Sequence, residues 1–164
     1  MILGLSTYAF IHTLISLVGI GSGLIVLVGL LSANPMDGWT SLFLWSTALT
    51  CVTGFFFPFH GLKPSYVVGV LTLIMLALAY VGRYKKRYSG GWRKTYVIST
   101  GIALYFNVFV LIVQSFLKVP ALNALAPTQT EPPFKIAQLV NLLLFVVLGT
   151  VAVKKYKLNQ LLTN

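Results

Sequence analysis

Five long runs of apolar residues follow one another along the chain, separated by polar and turn-forming residues. The runs are continuous rather than alternating, which favours helices over the roughly 10-residue strands of a membrane β-barrel. Each run is close to the ~20 residues that a helix needs to cross the hydrocarbon core of a bilayer. They lie at about residues 8–31, 40–59, 65–82, 95–117 and 136–153. The pattern predicts an all-α, five-helix transmembrane bundle, with residues 1–164 forming a single integral membrane domain.

The composition agrees with lipid as the main solvent of this chain. Only 9% of the residues are charged and 57% are hydrophobic, whereas soluble proteins carry roughly 25% charged residues. Because lipid offers no hydrogen bonds, every backbone amide in the membrane needs a partner within the protein, and a helix supplies one within its own segment.

Nine of the twelve basic residues fall into two clusters, and these predict the orientation. Basic residues are retained on the cytoplasmic side of a membrane. If the 83–94 cluster is cytoplasmic, five spans place the 154–157 cluster on the same side and the N-terminus outside. The clusters are Arg83, Lys85, Lys86, Arg87, Arg93 and Lys94, and then Lys154, Lys155 and Lys157. We therefore predict an integral membrane protein with its N-terminus outside and its C-terminus in the cytoplasm (N-out, C-in).

The same clusters predict the partners. A net charge of +10 would suggest nucleic acid if the protein were soluble. Beside membrane spans, attraction to anionic lipid explains such clusters at about 1 kcal/mol per residue. We expect the lipid bilayer as a partner, with anionic lipid at residues 83–94 and 154–157. The small size of the chain and its few catalytic groups suggest a membrane protein partner as well. Nucleic acid is not expected.

Polar and small residues form stripes on four of the five predicted spans. In lipid, helices associate through small residues and interhelical hydrogen bonds, the latter worth ~0.6 kcal/mol each. The third span has almost nothing polar and is predicted to be the most lipid-exposed. The stripes are His12, Ser16, Gly19 and Gly23 on span one, Ser46, Thr50 and Thr53 on span two, Tyr96, Thr100, Ala103, Asn107 and Gln114 on span four, and Gln138 and Asn141 on span five. This seam either holds the helices together or lines a ligand cavity.

The predicted topology places the candidate site residues at the outer end of the bundle: His12, His60, Gln114, Gln138 and Glu131. Three chemistries fit them. His12 and His60 could be the axial ligands of a b-type haem. His12, His60 and Glu131 could bind a divalent metal with an open position. A quinone or a lipid headgroup could accept or donate hydrogen bonds at a histidine or at Gln114 and Gln138. The alternative is that His12 is a packing residue and His60 an interfacial turn residue.

The residues offer little for catalysis, which favours a non-enzymatic protein over an enzyme. The chain has two acidic residues, Asp37 and Glu131, and the predicted topology puts them on opposite sides of the membrane. A general base or a catalytic triad has few groups from which to be built. We therefore expect a non-enzymatic membrane component or subunit with a polar ligand site near its outer face. The alternatives are a redox protein binding haem b or quinone through His12 and His60, and a small transporter or channel with a polar path through Asn107.

Two segments carry a resemblance to known proteins: Thr-Gly-Phe-Phe-Phe-Pro-Phe-His-Gly at 53–61 and Ala-Pro-Thr-Gln-Thr-Glu-Pro-Pro-Phe at 126–134. They resemble motifs of small, uncharacterised multi-pass bacterial inner-membrane proteins. That resemblance implies a location in the bacterial inner (plasma) membrane and no particular activity. The histidine-bearing bundle is also loosely similar to b-haem membrane cytochromes. It differs from them in having only one histidine that is clearly embedded in a predicted helix.

Overall fold

The computed structural model describes residues 6–34, 36–57 and 64–162, without the side chains of 64, 65 and 157–162. The prediction of an all-α protein is confirmed, since no β-strand occurs in these ranges. A short π-helical segment, Val81–Lys85, extends the third helix. The helices are α1 (Thr7–Leu31), α2 (Asp37–Phe55), α3 (Pro64–Tyr80), α4 (Trp92–Lys118), α5 (Pro120–Leu125) and α6 (Pro132–Leu162).

Four helical segments are long and apolar enough to cross a membrane: Thr7–Leu31, Tyr66–Lys85, Trp92–Lys118 and Pro132–Tyr156. They coincide with the first, third, fourth and fifth predicted spans and support an integral membrane protein. The second predicted span exists as α2, but α2 is not among the four. Its tryptophan, serine and threonine residues keep its mean hydropathy below that of the most apolar stretches in the four segments. Its passage through the membrane stays a prediction.

Successive long helices run antiparallel, so that the bundle has two ends. At one end, which we call the histidine end, His12 of α1 meets Thr53 of α2, and the Phe116 ring of α4 lies 5.4 Å from the Phe134 ring of α6. At the other end, which we call the basic end, the Tyr88 ring lies 6.0 Å from the Tyr156 ring near the end of α6. The 83–94 cluster also lies at the basic end.

Glycines on one face of α1 allow α2 and α4 to approach closely. A Cβ on Gly19 would lie 3.1 Å from Thr47 Oγ1, and one on Gly23 would lie 2.5 Å from Leu104 Cδ1. The small face predicted for the first span is therefore its packing face. The buried core continues from there toward the basic end and includes Val26, Leu30, Phe43, Tyr96, Val97, Leu104 and Ala152.

The prediction that the third span is the most lipid-exposed is wrong. In the apolar stretch of Tyr66–Lys85, which contains most of α3, 28% of the residues are buried. In that of Pro132–Tyr156, which belongs to α6, only 11% are buried. The reason is position in the bundle: α3 packs between α2 and α4, whereas α6 packs chiefly on α4 and touches α1 less. A helix without polar residues can thus be well packed, and α6 leaves a broad apolar face uncovered.

Candidate functional site

His12 lies at the histidine end, on the face of α1 that packs against α2. Its side chain is half-buried, and its Nδ1 lies 2.8 Å from the Thr53 hydroxyl oxygen. That hydroxyl donates its own hydrogen to the Leu49 carbonyl, at 2.7 Å. Threonine carries a single hydroxyl hydrogen, so Thr53 can only accept from the imidazole.

This hydrogen-bond chain favours one tautomer of neutral His12. Nδ1 carries the proton and donates it to Thr53, which leaves Nε2 with a free lone pair. No hydrogen bond to Nε2 is present within the described ranges. The Nε2 atom is therefore available to accept a hydrogen bond or to coordinate a metal ion.

Aromatic rings hold the imidazole in place. The centre of the Phe57 ring lies 5.0 Å from the centre of the His12 ring and 4.9 Å from that of the Tyr8 ring, and both contacts are edge-on. The Tyr8 hydroxyl donates to the Thr53 carbonyl oxygen at 2.5 Å. Neither Tyr8 nor Phe57 was predicted as a site residue, although Phe57 lies in the aromatic run that precedes His60.

The other predicted site residues are not hydrogen-bonded to His12 in the described part of the chain. Gln138 donates from Nε2 to the Phe109 carbonyl at 3.2 Å, and its buried Oε1 has no partner there. Gln114 is half-buried on α4. His60 lies outside the described residues, so the predicted haem ligand pair stays a prediction.

Glu131 is engaged by its own loop. The amide and hydroxyl of Thr128 donate to one carboxylate oxygen, at 3.2 and 2.8 Å, and the Thr130 amide donates to the other at 3.0 Å. Desolvation opposes these bonds, but together the hydrogen bonds outweigh it and lower the pKa of Glu131. No group of three histidine, cysteine or acidic side chains gathers within 6–34, 36–57 and 64–162. The metal set of His12, His60 and Glu131 includes His60 and stays a prediction.

Near the middle of the bundle, part of the polar seam forms hydrogen bonds between helices. Asn107 of α4 donates from Nδ2 to the Thr47 hydroxyl of α2 at 3.0 Å. Asn141 of α6 is buried, and its Nδ2 finds no partner in the ranges that the structure describes. Thr47 was not predicted from the sequence, which placed the polar stripe of that span at Ser46, Thr50 and Thr53.

The basic end contains a polar cluster that was not predicted. Arg83 is buried, forms an ion pair with Asp37, and donates to the hydroxyls of Tyr88 at 2.7 Å and Tyr96 at 3.1 Å. Its guanidinium also lies 5.5 Å from the centre of the Tyr84 ring. Cation–π contacts of this kind add to the hydrogen bonds. Arg83 is therefore a structural residue as well as part of the basic cluster.

A turn in the 83–94 segment completes this cluster. Arg87 and Tyr88 have φ values of 45° and 61°, in the left-handed region that non-glycine residues rarely adopt. The turn brings Tyr88 back against Arg83. Burial, followed by the nearby Tyr96 and Tyr156, raises the pKa of Tyr88, so Tyr88 stays protonated at neutral pH. An open cavity of about 470 Å³ lies beside the cluster, lined by Asp37, Ser41, Arg83, Tyr84 and Tyr88 among others.

No family model, curated protein or solved structure matches this chain. The functional assignment therefore rests on the residues and their geometry.

Proposed function

We propose that this protein is a small, non-enzymatic component of a bacterial inner membrane that binds a ligand at its histidine end. The observation that carries the proposal is the hydrogen bond between His12 and Thr53, whose hydroxyl also donates to Leu49. Thr53 holds the Nδ1 proton, and the free Nε2 lone pair is then ready for a ligand. An ionisable group inside a membrane helix is a functional-site hypothesis by default.

The proposed orientation is that of five spans with the N-terminus outside and the C-terminus in the cytoplasm. It is supported by the charge at the two ends of the bundle. Lys85, Lys86, Arg87, Lys94, Lys154 and Lys155 are exposed together at the basic end. The positive-inside rule assigns that end to the cytoplasm, and the histidine end then faces outward. A green fluorescent protein fused after residue 164 should fluoresce; a dark fusion, together with an active alkaline phosphatase fusion at the same site, would reverse the orientation.

The chemistry of the site favours a ligand that donates a hydrogen bond to Nε2. The Phe57 ring and the Tyr8 ring form an apolar wall beside the imidazole. A hydroxyl or N–H group on a flat or apolar ligand would match this combination. The polar groups of the seam support a packing role, since Asn107 and Gln138 are committed to interhelical hydrogen bonds.

A redox protein is the second candidate, and the same tautomer favours it. Metal-bound histidines usually donate their other ring N–H to an oxygen acceptor, as His12 does to Thr53. Nε2 of His12 could bind haem b together with His60, or accept a hydrogen bond from a quinol. In this candidate the protein carries electrons, whereas in the first it only holds its ligand.

An absorption spectrum of protein purified from its native membrane separates the candidates. A Soret band that is lost in both His12→Ala and His60→Ala supports haem. A colourless sample supports the first candidate if it retains an extractable ligand that His12→Ala loses. A colourless sample without any ligand, or a protein with catalytic turnover of its own, contradicts the proposal.

Two variants of Thr53 test the role of the tautomer. Thr53→Ser keeps the hydroxyl and should retain the ligand. Thr53→Val removes the acceptor and should weaken ligand retention about tenfold, within the 10–100-fold range known for residues that orient a ligating histidine. Equal retention by the two variants would show that Thr53 does not orient His12 for binding.

A further inference from the structure

An apolar groove of about 530 Å³ runs between α4 and α6 along the side of the bundle. Its walls include Ile98, Gly101 and Tyr105 of α4, and Leu142, Val146 and Gly149 of α6. The Tyr105 and Phe145 rings, 5.8 Å apart, meet across the two helices. The Thr150 hydroxyl in the groove donates to the Val146 carbonyl of its own helix, so it adds little polarity.

Two glycines keep the groove open. A Cβ on Gly101 or on Gly149 would meet nothing within 4 Å. Neither glycine is therefore needed for close packing of the two helices. Because both glycines line the groove, a larger side chain at either position would take up part of its space.

The groove has the depth of one leaflet. Its α6 wall runs from Leu142 to Lys154, which is about 18 Å at the rise of an α-helix. Half of the hydrocarbon core of a bilayer is about 15 Å thick. A transmembrane helix of another protein would cross both leaflets, whereas an acyl chain fills one.

The groove opens toward cationic groups that lack an acidic partner. Lys154 lines its end at the bundle's basic end, and Lys94 shares a face of α4 with Ile98, Gly101 and Tyr105 at helical spacing. The chain contains only two acidic residues. Asp37 pairs with Arg83, and Glu131 is hydrogen-bonded within its own loop at the opposite end. No carboxylate side chain remains for Lys94 or Lys154.

We propose that the α4–α6 groove is a binding site for one anionic phospholipid from the leaflet at the basic end. An acyl chain lies between Gly101 and Gly149, and the phosphate contacts Lys154 and Lys94. The proposal rests on the membrane location of the protein and is independent of the ligand at His12. It differs from general attraction to anionic lipid because it assigns a stoichiometry of one and a specific path for the chain.

Native mass spectrometry of the purified protein with added phospholipid tests the site. The probes are dioleoyl phosphatidylglycerol, which is anionic, and dioleoyl phosphatidylcholine, which has the same chains and no net charge. We expect one phosphatidylglycerol to be retained in preference to phosphatidylcholine. Lys154→Gln should weaken that retention about fivefold, as expected for ~1 kcal/mol per basic residue.

Matched variants distinguish the groove from its surroundings. Lys155→Gln removes an equal charge from an exposed residue that does not line the groove, and it should have little effect. Gly149→Leu should abolish retention of the bound lipid, whereas Gly21→Leu, at an exposed open glycine of α1, should not. Equal losses in Lys154→Gln and Lys155→Gln would show unspecific attraction and overturn the proposal.

Two further outcomes would also overturn it. Equal retention of both lipids would remove the role of charge. A dimer that dissociates in Gly149→Leu, without retained lipid in the wild type, would show that a second copy of the chain occupies the groove. The topology and His12 experiments do not depend on any of these results, so failure of the lipid site leaves the proposed function separately testable.

Discussion

Gly23 provides the sharpest test of how the bundle is packed. A Cβ added there would lie 2.5 Å from Leu104 Cδ1 and 2.8 and 2.9 Å from two carbons of the Phe43 ring. Leu104 can move its terminal methyl group, but Phe43 is fully buried and has little room. Gly21, two residues away on the same helix, would place a Cβ in open space. The two glycines therefore form a matched pair for substitution by alanine.

The expected magnitudes follow from two opposing effects. Alanine is favoured over glycine in a helix by up to about 1 kcal/mol, and this gain applies to both positions. Overpacking a well-packed core costs about 1–3 kcal/mol, and this cost applies only to Gly23. We expect Gly21→Ala to leave stability unchanged or slightly raised, and Gly23→Ala to be less stable than Gly21→Ala by about 1–3 kcal/mol.

Reversible unfolding in mixed detergent micelles, followed by tryptophan fluorescence, measures this difference. Both variants should be compared with the wild type in the same micelles. If Gly23→Ala and Gly21→Ala are equally stable, α1 does not pack closely against α2 and α4 at Gly23, and the described packing of these three helices is wrong.

Three further predictions concern single interactions. Asp37→Asn should lower the free energy of unfolding by about 1–2 kcal/mol, because Arg83 loses its carboxylate partner and the exposure of Asp37 limits the loss. An unchanged unfolding midpoint would contradict this prediction. A double-mutant cycle with Asn107→Leu and Thr47→Val should give a coupling of about 0.6 kcal/mol, and a coupling of zero would show that their hydrogen bond does not form. The lowered pKa of Glu131 means that its contribution to loop order is present above the unfolded pKa of about 4.3 and is lost as pH falls through the folded value. Hydrogen exchange in residues 126–131, relative to an unstructured reference peptide, should therefore be protected at pH 7 and unprotected at low pH, and Glu131→Gln should lack the protection at both.

The long helices could be predicted from the sequence because their cause is local. A continuous apolar run of about 20 residues satisfies its own backbone and needs no partner to be helical. The predicted spans 8–31 and 95–117 agree with α1 (Thr7–Leu31) and α4 (Trp92–Lys118) to within three residues. The prediction ended the last span at 153, whereas α6 continues to Leu162, since lysines end a hydrophobic run without ending a helix.

Burial at the basic end could not be predicted, because it depends on contacts between distant residues. Arg83 belongs to a cluster whose charge is typical of an exposed cytoplasmic loop. In its buried position Arg83 pairs with Asp37, 46 residues away, and contacts Tyr88, whose backbone is left-handed. One signal was present in the sequence: Asp37 is the only acid predicted on that side of the membrane.

The histidine site was predicted in part. His12 was selected from its position on the small, polar face of the first span, and that face does pack against α2. The partner Thr53 lay on the predicted polar stripe of span two. The tautomer could not be predicted, because it depends on where the Thr53 hydroxyl hydrogen goes, and only the helical geometry of α2 shows that Leu49 accepts it.

The membrane topology is tested most directly by labelling two single cysteines with a membrane-impermeant maleimide on intact cells. Cys51→Ala first removes the only native thiol. Ser89→Cys then probes the exposed loop at the basic end, and Ala124→Cys probes the exposed α5 at the histidine end. Five spans in the proposed orientation predict labelling of Ala124→Cys on intact cells, and of Ser89→Cys only after permeabilisation. Labelling of Ser89→Cys on intact cells, or of both positions from the same side, would contradict that topology.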